Sequence, residues 1–250
     1  MKGVLYAGFV LCGVLSASAA FAEEPLLTLL GAGTVVTSSP YDGVGVSVLP
    51  VPFMAWEHKG FYIRGIEAGY SFYEHGGLKL SAVTSPRMMG YSSEDSDALS
   101  GMEDRRRSLD AGFRAELALP FVTGLSVNAK VLNDVLSRSN GQEGELSLEQ
   151  FYGAKYLRLR LSGGVKVQSS RLTNYYYGVR TAEARPGRQE YKPGTAVDPF
   201  LGVMLTTGFS ENWLVITRLG VDLLDPAIRK SPIVDKSYTM MGMVGVVRRF

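Results

Sequence analysis

The chain has very little cysteine: Cys12 is the single one in 250 residues. It lies in an N-terminal segment that we predict to be removed on export, so the mature protein would have none. This absence excludes disulfide bonds, thiol nucleophiles and cysteine metal sites. An excess of charge of one sign is also lacking, because 26 basic residues stand against 24 acidic ones. That balance gives no electrostatic reason to expect nucleic acid as a partner.

Long hydrophobic runs are missing too. A membrane helix needs 18 or more nearly continuous apolar residues, and no such window follows residue 22. The longest uncharged apolar stretch, residues 44–56, is interrupted by Pro50 and Pro52. The mature chain is therefore either soluble in the periplasm or spans a membrane as strands.

The first residues have the layout of a secretory signal peptide. Lys2 gives a positive start, residues 4–15 are apolar, and Ala20-Phe21-Ala22 forms a small-residue cleavage site. The apolar core is too short for a spanning helix. We therefore predict a cleaved signal peptide over residues 1–22 and one mature domain over residues 23–250, with a retained N-terminal anchor as the alternative.

Strict alternation of apolar and polar residues is the main fold signal. Within residues 108–119 one parity is apolar, from Leu109 to Leu119, and the other includes Asp110, Arg114 and Glu116. Residues 125–131 and 157–168 follow the same pattern. A period of two indicates strands with one buried face. Each run has about ten residues, near the 9–11 of a tilted membrane strand and longer than the roughly 5–6 of an average soluble strand.

Further strands are predicted with less regular alternation. They cover residues 26–37, 44–57, 61–73, 78–90, 144–156, 197–209, 212–223 and 238–250. This gives eleven candidates, whereas single-chain bacterial barrels have even strand numbers. Glu67 breaks the pattern in the uncertain region, residues 26–91. The sequence thus predicts an all-β, antiparallel, up-and-down transmembrane β-barrel of 10–12 strands, with twelve preferred, and with both termini in the periplasm.

The two strand faces give a prediction for each side of the wall. The charged parity should point into the lumen and the apolar parity toward lipid. Because a small barrel has little room for a channel, the charges should pair across the interior and conductance should be poor. The residues expected in the lumen are Arg114, Glu116, Arg158, Arg160, Lys166 and Arg218, and those expected toward lipid are Leu117, Leu159, Val167 and Leu219.

Aromatic residues lie near many predicted strand ends, as in the girdles of a membrane barrel. The chain also ends on Phe250 after an apolar strand parity, a pattern that the barrel-assembly machinery reads. Scattered aromatics of a soluble β-core are the alternative. The aromatic residues concerned are Trp56, Phe61, Tyr70, Phe121, Phe151, Tyr152, Tyr156, Phe209, Trp213 and Tyr238.

Candidate chemistry is sparse. His58 and His75 lack ligand spacing for a metal and no serine is paired with them in sequence, so we predict no catalytic, cofactor-binding or metal-binding residues and no enzyme. The run Glu103–Arg107 could hold a lipopolysaccharide phosphate or form a self-neutralising loop. Residues 175–177, three tyrosines, could form a contact surface or a packed loop over a barrel mouth.

Several motifs resemble the MltA-interacting protein family, also called MipA/OmpV. The matching pieces are Tyr41-Asp42-Gly43, Pro50-Val51-Pro52, Leu99-Ser100-Gly101-Met102, Asp104-Arg105, Tyr175-Tyr176-Tyr177-Gly178-Val179, Glu183-Ala184, Tyr191-Lys192-Pro193-Gly194, Ser231-Pro232-Ile233-Val234 and Phe250. The family usually has a tyrosine two residues before the terminal phenylalanine, where this chain has Arg248.

The resemblance implies an outer-membrane barrel. In the founding member it implies a scaffold that links a murein-degrading lytic transglycosylase to a bifunctional murein synthase, and other members are linked to adhesion or stress responses. We therefore expect a scaffold in the cell outer membrane, with a small-solute porin or a surface adhesin as the alternative. Expected partners are outer-membrane lipid and lipopolysaccharide and, as the resemblance implies, the two murein enzymes; nucleic acid is not expected.

Overall fold

The computed structural model describes residues 28–154 and 157–250. The predicted signal peptide, residues 1–22, lies outside the described residues. Among those that are described, none of the helices has the length and apolar character required to cross a membrane.

Twelve antiparallel strands form a closed barrel, in which each strand pairs with the next and the last pairs with the first. The preferred strand number is thereby confirmed. The elements in chain order are β1 Leu29–Ser38, β2 Val46–His58, β3 Phe61–Arg64, β4 Glu67–His75, β5 Leu78–Arg87, β6 Ser108–Ala118, β7 Leu125–Asp134, β8 Gln142–Gly153, β9 Leu157–Gln168, α1 Ser170–Tyr177, a 3-10 turn Thr181–Glu183, β10 Ala196–Gly208, β11 Trp213–Leu223, α2 Pro226–Arg229 and β12 Tyr238–Arg249.

The strand that the sequence analysis missed lies within residues 61–73. This segment is a hairpin, because β3 ends at Arg64 and β4 begins at Glu67 after the two-residue turn Gly65-Ile66. Gly65 has a φ of 65°, a left-handed conformation that glycine adopts without steric cost. The turn resets the alternation, so Glu67 follows the inward parity of a new strand and does not interrupt an old one.

The predicted faces are confirmed. Leu117, Val167 and Leu219 are exposed on the outer face at 41%, 42% and 59%, and Leu159 pairs with the exposed Tyr152 on the same face. The six predicted lumen residues share the opposite parity of their strands, which the register places on the inner face. A wall with apolar residues outside and charges inside is the arrangement expected of a barrel in lipid.

The aromatic residues cluster mainly at one end of the barrel. Phe209 and Trp213 stack with ring centroids 6.5 Å apart beside the β10–β11 turn, and the guanidinium of Arg248 lies 5.0 Å from the ring centroid of Phe250. The prediction for Phe151 is wrong, because this side chain belongs to the inner parity of β8, opposite Arg160. Tyr156 lies outside the described residues.

The connections divide the barrel into two different ends. Both termini of the barrel and the turns after β2, β4, β6, β8 and β10 lie at what we call the short-turn end. The opposite, long-loop end carries the β3–β4 turn and five longer connections, residues 39–45, 88–107, 135–141, 169–195 and 224–237. From the β4–β5 turn onward, short and longer connections alternate.

Candidate functional site

The largest hydrophobic core of the protein lies in the connections of the long-loop end. Four of these connections, residues 39–45, 88–107, 169–195 and 224–237, pack together, and we call this assembly the loop cap. Apolar side chains in polar loops are buried here because each loop covers the others. Its buried members are Tyr41, Tyr91, Leu99, Met102, Leu172, Tyr176, Tyr177, Val179, Ala196, Leu224, Ile228, Ile233 and Val234.

A buried ion pair joins two loops of the cap. Arg105, whose side chain is 0% exposed, donates from Nη2 to both carboxylate oxygens of Glu183 at 2.8 and 2.9 Å. Burial by itself would raise the pKa of Glu183. Hydrogen bonds from the backbone N–H groups of Arg180 and Glu103, together with Arg105, outweigh burial and hold that pKa below its ordinary value. The Glu183 carboxylate therefore stays ionised at neutral pH.

A second arginine fastens the same two loops through backbone oxygens. The Arg188 guanidinium donates to the carbonyl oxygens of Ala98 and Ser100 at 2.7 and 2.9 Å and to that of Glu183 at 2.8 Å. A planar guanidinium with five donors suits such a multiple contact. The loops 88–107 and 169–195 thus form one hydrogen-bonded unit.

The tyrosine run, residues 175–177, lies at the C-terminal end of α1 and packs over the barrel mouth. Tyr176 and Tyr177 are 0% and 3% exposed, and Tyr177 contacts Tyr41 with ring centroids 6.0 Å apart. Burial raises the pKa of the Tyr176 and Tyr177 hydroxyls, and it raises the pKa of Tyr91 to about 12. All three phenols remain neutral at physiological pH, so the interior of the cap carries no phenolate.

Three positions of the charged run Glu103–Arg107 are engaged, mainly with partners outside the run, so the run is not self-neutralising as one of the two interpretations had it. Arg105 is directed inward to Glu183, Glu103 pairs with Arg180, and Asp104 accepts hydrogen bonds from Ser92 and Ser93. Arg106 and Arg107 are exposed. The run is therefore mainly structural.

Under the cap, the lumen begins with a buried cluster of charges. Arg87 on β5 donates to Glu143 on β8 at 2.8 Å and contacts Asp110 on β6. Since β5 and β8 are three strands apart, this contact reaches across the barrel interior. It occupies part of the upper lumen, and each of its charges has an opposite partner, as a low-dielectric interior requires.

Three of the six predicted lumen residues form ion pairs, but their partners are on the adjacent or next-but-one strand, so these pairs lie along the wall and not across the interior as predicted. Arg114 donates to Glu67 on β4, with one contact of 2.6 Å. Arg160 pairs with Glu149 at 3.3 Å, and Lys166 pairs with Asp222 at 2.8 Å. Of the others, Glu116 lies opposite Lys79 in the register, and Arg158 lies opposite Thr206.

Arg218 departs from the expectation of pairing. Its side chain is on the inner face of β11 between Met204 and Met243, and the residue is exposed. Among residues 28–154 and 157–250 it has no hydrogen-bond or ion-pair partner. It is thus a cation that the lumen presents to water.

The two histidines lie far from these features in the fold. His58 ends β2 and His75 ends β4, both at the short-turn end. Within the described part of the chain there is no group of three or more His, Cys, Asp or Glu side chains that could hold a metal ion.

The loop cap is the feature that strand periodicity could not find. The sequence indicates the cap only through apolar residues such as Leu99, Leu172 and Ile233, which are buried although the segments around them have loop composition. All but two of the motifs that carry the family resemblance lie in this cap. The exceptions are Pro50-Val51-Pro52, which is in β2, and the terminal Phe250.

Comparison with known proteins agrees with the family resemblance of these motifs. The sequence profile of the family described as "MltA-interacting protein MipA" matches residues 30–250. The MltA-interacting protein of Escherichia coli (strain K12) is 29% identical over 225 residues, which cover 88% of this chain and 89% of that protein. The putative outer membrane protein YiaT of Escherichia coli O157:H7 is 28% identical over 226 residues, covering 88% and 90%.

Solved structures of outer-membrane barrels are similar to this chain with low sequence identity. The translocator domain of the autotransporter NalP from Neisseria meningitidis aligns over 94% of this chain and 91% of that chain, with 12% identity and a TM-score of 0.45.

Proposed function

Because the chain belongs to the MltA-interacting protein MipA family, we propose that this outer-membrane barrel is a scaffold for murein-degrading and murein-synthesising enzymes. The observation that carries the proposal is the alignment with the MltA-interacting protein over 88% of the chain. The proposed partners are a lytic transglycosylase and a bifunctional murein synthase, beside the lipid and lipopolysaccharide of the membrane. The proposed mature protein is residues 23–250, and the proposed role involves no catalysis by the barrel itself.

The geometry supports an anchoring role better than transport. The loop cap covers one mouth of the barrel, the Arg87–Glu143 ion pair spans three strand spacings of the upper lumen, and Arg114–Glu67 lies along the inner wall. A porin needs a continuous wet passage. A scaffold needs only a rigid wall and an accessible end, and the short-turn end provides that surface.

The short turns limit the kind of contact that a partner can make. Stable binary interfaces bury about 1,200–2,000 Å² in total, and turns such as residues 76–77 and 209–212 offer small surfaces one by one. We therefore propose weak contacts with several partners at once, for which the membrane supplies a high local concentration.

Site-specific photocrosslinking in intact cells tests the proposal. Photoreactive residues at Lys59, His75 and Glu211 sample the short-turn end, and matched residues at Arg185 and Lys192 sample the loop cap. We expect a lytic transglycosylase or a murein synthase to be recovered from the short-turn positions and not from the cap positions. Recovery of only lipopolysaccharide and assembly proteins, with altered solute uptake in a deletion strain, would favour the porin alternative.

A further inference from the structure

The barrel wall is incomplete between β2 and β5. β3 has 4 residues and β4 has 9, whereas β2 has 13. β3 pairs with β2 only from Ala55 to His58, and the last contact of the β3–β4 turn with β2 is from Gly65 N–H to Met54 O at 2.8 Å. Within the described part of the chain, residues 46–53 of β2 therefore pair with β1 alone.

The opposite edge of this opening is the upper part of β5. Its pairing with β4 ends at Thr84, so residues 85–87 pair only with β6. β2 and β5 are three strand spacings apart, about 14 Å at the usual 4.8 Å between strands. We call this opening, above the β3–β4 turn and toward the long-loop end, the wall gap. Every residue from 45 to 50 is exposed, as expected for a strand edge without a neighbour.

Three prolines line the wall gap on the edges that lack partners. Met54 O points toward the gap side, and in a strand the backbone groups of alternate residues point the same way, so those of Pro50 and Pro52 also face the gap. By the same rule, Gly77 O points from β5 to β6, which turns the backbone of Pro86 toward the gap. A proline has no N–H to donate to an added strand. The gap is therefore unsuited to pairing with a strand of a second molecule.

The lumen next to the gap is apolar, in contrast with the charged wall formed by β5 to β9. The inner face of β1 and β2 includes Val35, Leu49, Val51 and Phe53. The ring of Phe53 lies on the backbone of Gly33 in β1, where an added Cβ would come within 2.6 Å of it. Such a surface, reached from the side of the membrane, suits a hydrocarbon chain and not a hydrated solute.

Four residues that face one another on neighbouring strands form a row from the wall gap to Arg218, the cation of the lumen without a partner among the described residues. Leu49 lies opposite Val35, Val35 opposite Met243, and Met243 opposite Arg218. All four side chains are on the inner face, and the row spans three strand spacings, about 14 Å. Roughly a dozen carbon–carbon bonds of about 1.5 Å in a zigzag cover that length.

We propose that this row binds a single fatty-acyl chain with a carboxylate head, which enters sideways from the membrane through the wall gap. The carboxylate accepts charge-assisted hydrogen bonds from Arg218, and the methylene groups pack against Met243, Val35 and Leu49. The ligand satisfies the exposed guanidinium and covers apolar lumen surface at the same time. This role goes beyond the proposed scaffold and does not depend on it.

Tryptophan quenching by spin-labelled stearic acids in phosphatidylcholine vesicles tests both the site and the ligand orientation. The reporters are Leu49→Trp and Met243→Trp, each combined with Trp56→Phe and Trp213→Phe to remove the two native tryptophans. We expect a nitroxide at carbon 12 to quench the reporter at position 49 more strongly than a nitroxide at carbon 5. The order should reverse at position 243, next to Arg218.

The head-group contact is tested by Arg218→Gln, with Arg248→Gln on the outer face of the wall as the matched control. Loss of a charge-assisted hydrogen bond should weaken stearate binding roughly 10- to 100-fold. Arg218→Lys should retain most of the affinity, and the neutral methyl ester should bind the unaltered protein as weakly as stearate binds Arg218→Gln. A Val48→Trp reporter, which faces lipid, should be quenched equally with and without the Arg218 substitution.

The proposal would be overturned if the same nitroxide, at carbon 5 or at carbon 12, quenched both the position 49 and the position 243 reporter more strongly. Equal affinity of stearate for the unaltered protein and Arg218→Gln would overturn it as well. Far-UV dichroism of each variant shows whether the barrel has formed. If Arg218→Gln does not fold, Arg218→Lys takes its place, and the difference in affinity between stearate and its methyl ester then tests the head-group contact. Because binding is measured on the isolated barrel, failure here leaves the crosslinking result untouched.

Discussion

Arg105 is the residue on which the loop cap depends most directly. Its guanidinium is buried against Glu183 and also donates to the carbonyl oxygen of Tyr175 at 2.6 Å. Substitution Arg105→Gln leaves the Glu183 carboxylate buried without its cation. Breaking a buried pair in this way costs about 3–5 kcal/mol. We expect much faster tryptic cleavage within residues 88–107 of the folded protein.

The matched control for that substitution is Lys192→Gln. Lys192 pairs with Glu190 on the surface of the loop 169–195, and the Lys192 side chain is 73% exposed. Exposed pairs contribute little to stability, so the cleavage rate should stay unchanged. Equal rates for Arg105→Gln and the control would show that the Arg105–Glu183 pair does not hold the cap.

Glu183 gives the cap a dependence on acid. Its pKa in the folded protein lies below the ordinary value of 4.5, because hydrogen bonds to the carboxylate outweigh the effect of burial. The stabilisation is therefore complete above pH 4.5 and is lost as the pH falls through the lowered pKa. We expect the protection factors of the amides in residues 88–107 and 169–195, which correct for the intrinsic pH dependence of hydrogen exchange, to fall below pH 4.5. In Glu183→Gln the exchange should be faster at neutral pH and should lose this acid dependence.

At the scale of elements, the β3–β4 hairpin is the part of the wall with the fewest neighbours. Glu67 ties it to β6 through Arg114, across the inner face of β5. Substitution Glu67→Gln should lower the free energy of unfolding by about 2 kcal/mol, since a hydrogen-bonded charge loses its partner. A double-mutant cycle with Arg114→Gln measures the coupling. Additive effects of the two substitutions would contradict the importance of this contact for the hairpin.

The orientation of the whole barrel gives a further prediction. With the short-turn end in the periplasm, the loop cap faces the outside of the cell. A cysteine introduced by Lys192→Cys should react with a membrane-impermeant maleimide in intact cells, whereas one introduced by Lys59→Cys should react only after lysis. The reverse pattern would invert the orientation and move the proposed scaffold surface to the loop cap.

The closed mouth and the paired lumen predict poor conductance of the whole molecule. Planar bilayers with the purified barrel should show little current at moderate voltage, because the cap and the Arg87–Glu143 contact obstruct the passage. Arg105→Gln combined with Arg87→Gln should increase the current. Sustained large currents from the unaltered protein would support the porin alternative.

Most of the wall was predictable because its signal is local. A strand buried between lipid and lumen must alternate, so Leu109, Phe113 and Leu117 indicate their face from the sequence alone. The hairpin at residues 61–73 was missed because a two-residue turn leaves the apolar composition nearly unchanged and shifts only the parity at Glu67. Phe151 was misplaced because its position near a strand end was weighed above its parity.

The sequence by itself determined the antiparallel barrel, its inner and outer faces and, through its family motifs, its membrane. These depend on the period of two and on composition, which each strand carries within itself. The tertiary structure alone decided the loop cap, the wall gap and the unpaired state of Arg218. Each depends on which residues of distant strands or loops become neighbours. Arg105 meets Glu183 from 78 positions away, and the upper part of β2 has a neighbour on one side alone because β3 and β4 are short. Such contacts depend on register and chain length around the whole barrel, which no local pattern contains.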